Sequence, residues 1–188
     1  MIHASPVLVI AGSLRARRLC IHIAEWAAGV GREATDADFE VVDLKDWPLP
    51  MDDEPGVPAA GIYENPHTQA WSRKIAEADA FVLVTPQYNW GYPAGLKNAL
   101  DHLYAEWAGK PVMIVSYGGH GGGRCAEQLT QVCQGLHLVP ITTQPQLKLA
   151  REHIEANTGE IDPAAEFGDH VVDLKRAFAE LAAARART

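Results

Sequence analysis

Three short stretches of this chain carry residue types that could bind and use a ligand. The first is Pro86-Gln87-Tyr88-Asn89-Trp90-Gly91-Tyr92-Pro93. Tyr88, Trp90 and Tyr92 offer aromatic faces, Gln87 and Asn89 offer amide groups, and the two prolines stiffen the ends. Such a set suits a planar, hydrogen-bonding ring. The second is Gly12-Ser13-Leu14-Arg15-Ala16-Arg17-Arg18, where a helix is about to begin. Its backbone amides and helix dipole favour an anion, the Ser13 hydroxyl is a donor, and Arg15 and Arg18 can add forked, charged hydrogen bonds. Arg17 is expected to face solvent. The third is the glycine-rich run Ser116-Tyr117-Gly118-Gly119-His120-Gly121-Gly122-Gly123-Arg124.

The elements around these stretches place them together. Val7 to Ala11 reads as a buried strand, followed by apolar residues at helical spacing through Leu19, Ile23, Trp26 and Val30. Phe39 to Leu44 alternates as a second strand. From Trp47 to Pro66 the chain holds five prolines and two glycines, an irregular excursion over the surface. A helix is expected near Thr68 to Ala78, then a buried strand at Ala80 to Val84, a helix from Ala94 to Tyr104, a strand at Pro111 to Ser116, a helix from Arg124 to Leu136 and a short strand near Leu138 to Ile141. Asp169 to Arg187 reads as a closing helix; the tail beyond Thr142 is otherwise uninformative.

Strands alternating with helices predict an α/β fold: one domain over residues 1–188, a doubly wound five-stranded parallel sheet. The strand order 2-1-3-4-5 suits the count, and its switch point lies between strands 1 and 3. Ligands bind outside the carboxyl ends of strands at such a point. The loops there are the ones carrying Ser13 and Tyr88, with the glycine-rich run beside them.

Bulk properties narrow the partners. The 188 residues carry a formal charge of -8, with no basic run that would suit DNA or RNA. Cys20, Cys125 and Cys133 are odd in number and lack metal-ligand spacing, as in a cytoplasmic protein with reduced thiols. No N-terminal signal pattern or long apolar run supports secretion or membrane spanning. His22, His67, His102 and His137 show no metal-binding pattern and are expected to be structural or solvated, so no metal is assigned. No G-x-x-x-x-G-K-[ST] occurs, and the first turn lacks G-x-G-x-x-G, which removes the common triphosphate and dinucleotide cradles. Trp71 and Trp107 read as core or subunit-contact residues, and Lys97 and Asp101 as a surface pair four residues apart.

Pro86-Gln87-Tyr88-Asn89, followed by Pro93-Ala94-Gly95-Leu96-Lys97-Asn98-Ala99-Leu100-Asp101, resembles the signature of the NAD(P)H-dependent FMN reductases, which have a flavodoxin-like fold. Gly12-Ser13-Leu14-Arg15 and the Ser116 to Arg124 run agree with that family, so the resemblance covers about Val7 to Pro140. Many members have serine or threonine where this chain has Arg18; arginine there is similar to the fungal-type quinone reductase branch. The resemblance implies FMN as cofactor, NAD(P)H as co-substrate, and two-electron ping-pong hydride transfer to quinones, free flavin or azo compounds. Ser13, Arg15 and Arg18 would hold the phosphate. Pro86, Gln87, Tyr88, Asn89 and Trp90 would border the ring, with the Tyr88 and Asn89 amides on its pyrimidine edge. Gly118, Gly119, His120 and Gly121 would approach its other end. No side chain is implied as catalytic, and a homodimer or homotetramer is implied. The other readings are a non-enzymatic, flavodoxin-like electron carrier and a redox-sensing flavoprotein.

Overall fold

The structure is a computed structural model and describes residues 5–187. The parallel sheet is built from β1 (Val7–Ala11), β2 (Phe39–Asp43), β3 (Ala80–Pro86), β4 (Pro111–Gly118), β5 (Val139–Pro140) and β6 (Gln146–Lys148). Its order is β2-β1-β3-β4-β5, as expected, with β6 also parallel to β4. The count is six because the outer strand is broken. Val139 and Pro140 pair with the start of β4, residues 141–145 leave the ladder, and Gln146 to Lys148 rejoin it at Ser116 to Gly118.

Register explains the burial. Val7 lies beside both Phe39 and Ala80, and the side chains of β1 alternate between two faces. Val7, Val9 and Ala11 pack with Val82, Val84 and Val115 under α1 (Cys20–Ala34) and the closing helix. Leu8 and Ile10 pack with Phe81, Leu83 and Ile114 on the opposite face. That face is covered by α2 (Pro66–Ala76), α3 (Ala94–Asp101) and α4 (Gly123–Gly135). A strand covered on both sides is apolar throughout, which is why β1 and β3 have no polar alternation.

Trp71 and Trp107 are core residues. Both are fully buried, and their indole N–H groups donate to the Ala99 and Leu100 carbonyls at 2.8 and 3.1 Å. The helix after β3 ends three residues earlier than its pattern predicts, at Asp101, and a 3-10 turn at Ala105–Trp107 brings Trp107 against Phe81, with ring centroids 4.9 Å apart. Two further helices follow β6: α5 (Arg151–Ala156) and α6 (Pro163–Glu166). The closing helix, α7, spans Val171–Arg185 and buries Leu174, Phe178 and Leu181, while Val172 is exposed. Among the described residues no helix is long and apolar enough to cross a membrane.

Candidate functional site

At the carboxyl ends of β1, β3 and β4 lies a cleft of about 230 Å³. It is lined by Arg15, Arg17 and Arg18 after β1, by Pro86, Gln87 and Tyr88 from β3 and its loop, and by Tyr117, Gly118 and Gly119 from β4 and its turn. The two switch-point loops are tied together beneath it. Gly12 N–H donates to the Val84 carbonyl at 2.9 Å, the Ser13 and Tyr88 hydroxyls are 2.9 Å apart, and the Arg15 guanidinium sits 3.6 Å over the Tyr88 ring. The stacked guanidinium is attracted to the ring face, so Arg15 and Tyr88 order one another.

Each predicted residue has a definite place. Arg15, Arg18, Pro86, Gln87, Tyr88, Gly118 and Gly119 line the cleft. Ser13 is fully buried behind Tyr88 and does not line it. Arg18 donates to Asp43, at the end of β2, through one guanidinium nitrogen, while its Nε is buried without a partner among the described residues. Asn89 and Trp90 form the two-residue tip of a hairpin: Tyr88 and Gly91 exchange N–H···O bonds of 2.8 and 2.9 Å. Both tip residues have left-handed backbone, φ 49° and 73°, as that turn requires. The expected use of the Tyr88 amide on a ring edge is therefore corrected, because that N–H is spent on Gly91. Trp90 is exposed and stacks with Arg124 at 3.6 Å. His120 is exposed and borders a separate groove shared with Gln87, Trp90 and Arg124. Gly121 is buried in the turn itself, its N–H donating to the Gly118 carbonyl at 2.9 Å.

Glycine is required at one position of this turn on two grounds. Gly122 has φ 84°, and a side chain there would meet the Ser116 Cβ at 2.9 Å. At Gly118, by contrast, a Cβ would meet nothing nearer than 3.6 Å, so its missing side chain leaves space on the cleft side.

The far wall was not foreseen. Leu149, His153, Ile154, Asn157 and Gly159, from β6's exit through α5 and beyond, close the cleft opposite Tyr88. Ile154 crosses it: its Cδ1 lies 3.3 Å from where a Gly119 Cβ would stand. This wall narrows the cleft below the roughly 300 to 1,000 Å³ usual for small-molecule sites. The alternation in Gln146-Leu147-Lys148 was the available signal for the strand that leads into it.

Thiol chemistry has no part in the cleft. Cys20 lies under the arginine loop, its Sγ–H donating to the Val84 carbonyl at 3.2 Å, and burial pushes its pKa up to about 11. A neutral thiol at ordinary pH is a poor nucleophile. Burial likewise raises the Tyr117 phenol well above its usual value, so it stays a neutral donor at the cleft's edge. What the arrangement can do is bind: guanidinium groups at one end for an anion, glycine backbone and aromatic faces for a flat body. An FMN-like ligand fits that donor set, with the Arg15 to Arg18 loop, including the unpartnered Arg18 Nε, available to the phosphate.

A doubly wound parallel sheet with an arginine-lined cleft at its β1/β3 switch point defines a flavodoxin-like nucleotide-binding protein. A family model for NADPH-dependent FMN reductases matches residues 5–152, and the chain belongs to that family. It is 57% identical to an NAD(P)H-dependent FMN reductase of Schizosaccharomyces pombe over 176 residues, 93% of this chain and 87% of that one. It is 32% identical to a quinone reductase of Escherichia coli over 148 residues, 74% of each chain. Among solved structures, the flavoenzyme NAD(P)H:(acceptor) oxidoreductase FerB of Paracoccus denitrificans has the same fold, with a TM-score of 0.66 and 22% identity over 94% of this chain and 98% of that one.

Proposed function

We propose that this chain, as one domain, is an FMN-dependent NAD(P)H oxidoreductase that reduces quinones, free flavin or azo compounds. The observation that carries the reading is the convergence of Arg15, Arg17 and Arg18 with Tyr88 and the Gly118-Gly119 backbone on one cleft at the switch point, in a chain of this family. FMN, when bound, supplies the two-electron chemistry between NAD(P)H and the acceptor. The chain's own groups bind and orient. Arg15 and Arg18 offer charge-assisted donors to a phosphate, and Ser13 fixes Tyr88 from behind. Gln87, Tyr88, Gly118 and Gly119 border the flat body. Asn89, Trp90 and His120 belong to the outer rim of this reading, where an incoming acceptor first meets the protein, and the buried Gly121 shapes the turn that carries Gly118 and Gly119.

Among the described residues no carboxylate or thiol lines the cleft and His153 is its one imidazole, and no side chain is assigned as a proton donor or nucleophile. With room for one flat partner at a time, nicotinamide and acceptor take turns, giving ping-pong kinetics. Three buried free cysteines support a cytoplasmic setting with reduced thiols. A homodimer or homotetramer completes the reading.

The test is direct. The purified chain, incubated with FMN and desalted, should stay yellow and oxidise NADH or NADPH with menadione in steady state, with parallel initial-rate lines. A chain that retains no FMN refutes the reading. Retained FMN that neither nicotinamide reduces would leave an electron carrier or a redox sensor instead.

A further inference from the structure

Away from the cleft, on the α2/α3 side of the sheet, Asp53, His67 and His102 bring one ligand atom each to within 4.8 Å of one another. They come from three separate segments. Asp53 lies in the proline-rich excursion before α2, His67 in the first turn of α2, and His102 at the C-terminal end of α3. His67 Nε2 is 3.0 Å from Asp53 Oδ2, and His102 Nε2 is 3.8 Å from Asp53 Oδ1.

An ion pair between His67 and Asp53 accounts for two of these groups but not the third. His102 is 5% exposed, and its Nε2 has no hydrogen-bond partner among the described residues. Its tautomer is fixed by the other ring nitrogen. His102 Nδ1 lies 2.8 Å from the Asn98 carbonyl, which can only accept, so Nδ1 carries the proton and Nε2 presents a lone pair. A buried lone pair left without a partner is unfavourable. A histidine that donates Nδ1–H to a backbone carbonyl and aims a bare Nε2 at a carboxylate is the usual posture of a metal ligand.

We propose that Asp53, His67 and His102 bind a divalent transition-metal ion, with Zn²⁺ the best match. Bonds of about 2.0 to 2.1 Å at tetrahedral angles put ligand atoms roughly 3.3 Å apart, and from the one oxygen Asp53 Oδ1 the Nε2 atoms of His67 and His102 lie 3.2 and 3.8 Å away, on either side of that spacing. Two imidazoles with one carboxylate suit zinc and its neighbours; Mg²⁺ and Ca²⁺ call for all-oxygen sets. The surroundings favour a cation. Asp52, Glu54 and Asp101, the last paired with Lys97, line the adjoining pocket with Asp53, no lysine or arginine among the described residues lines it, and His102 caps the negative end of α3. Bound there, the ion ties the excursion to both helices. Its role is structural, because the pocket shares no residue with the flavin cleft.

Isothermal titration of the FMN-loaded chain with ZnCl2, alongside MgCl2 and CaCl2, tests this. One Zn²⁺ per chain should bind, with no saturable Mg²⁺ or Ca²⁺. His67→Ala and Asp53→Asn, both at accessible positions and checked for native circular dichroism, should each weaken Zn²⁺ by about 100-fold and abolish the rise in Tm that Zn²⁺ gives the parent chain. His22→Ala, in α1 on the opposite face of the sheet, should bind as the parent does. Absence of saturable Zn²⁺ uptake by the parent chain overturns the proposal. So does uptake that His67→Ala and Asp53→Asn leave within about threefold of the parent.

Discussion

The cleft's inner wall, from the loops after β1 and β3, and its outer wall, residues 149–159, hold their side chains by different means. The inner wall is cross-linked: Gly12 to Val84, Ser13 to Tyr88 and Arg15 over Tyr88, beside the fully buried strands β1 and β3, and Arg18 to Asp43 at the end of β2. The outer wall is rooted only at its start, where Leu149 is buried and its N–H donates to the Gly118 carbonyl at 2.9 Å. Beyond it α5 buries none of its residues, and the attachments are the Ala150 amide and His153 to Glu166, at 2.7 and 3.2 Å, and an exposed bond from Arg17 to the Asn157 carbonyl at 3.4 Å. A segment with few buried apolar contacts opens at low free energy, whereas one rooted in the sheet does not. On the proposed reading, the inner wall is expected to set affinity for the cofactor and the outer wall to adjust to what enters beside it.

The largest effect expected from this contrast is on stability. Arg18→Ala leaves Asp43, whose side chain is 13% exposed, without its ion-pair partner and with only the Lys45 amide at 3.0 Å, and should cost about 3 kcal/mol in urea unfolding of the FMN-free chain. Arg151→Ala removes an outer-wall pair whose side chains are 86% and 62% exposed, and should cost less than about 0.5 kcal/mol. Equal losses would erase the distinction.

The next effect is a pH dependence rooted under the inner wall and α4. Burial pushes Cys20 and Cys125 up to about 11 and Cys133 up to about 12, from an ordinary 9.0. Their folded pKa values lie above the unfolded ones, so the unfolded chain loses these protons first as pH rises. The stability they contribute is complete below pH about 9 and is lost between there and 11 to 12. Thermal midpoints should fall across that window, and less steeply in Cys133→Ala. An identical slope in that variant would contradict the assignment.

The smallest effect belongs to the outer wall. Ile154 is 49% exposed, so Ile154→Ala should change stability by under about 1 kcal/mol. It should alter the KM for bulky quinones while FMN affinity stays within about threefold, read by fluorescence titration. A large loss of FMN affinity would mean that the outer wall, too, holds the cofactor.

How far the sequence could be read follows the same division. The strands were legible because burial on both faces forces continuous apolar runs, as in Ala80 to Val84, and the strand order then placed Gly12 to Arg18 beside Pro86 to Trp90. The loops carried their own chemistry in adjacent residues. Side-chain direction was not legible. Nothing local says that Ser13 turns inward to Tyr88, that the Tyr88 amide closes a hairpin, or that Arg18 meets Asp43 across two strands. The outer wall had no motif, since its residues act by lying where a broken edge strand delivers them. His67 and His102 looked scattered because their meeting with Asp53 depends on how the excursion folds over α2 and α3.

The central claim is that the arginine loop after β1 recognises the phosphate of a flavin nucleotide held in this cleft. Titrating the parent chain and Arg15→Ala with FMN and with riboflavin, which lacks the phosphate, tests it most directly. The variant should lose about 1.5 to 3 kcal/mol for FMN, roughly 10- to 160-fold, and far less for riboflavin, so that the parent's preference for FMN collapses. Equal weakening of both ligands, or unchanged FMN binding, would contradict the account.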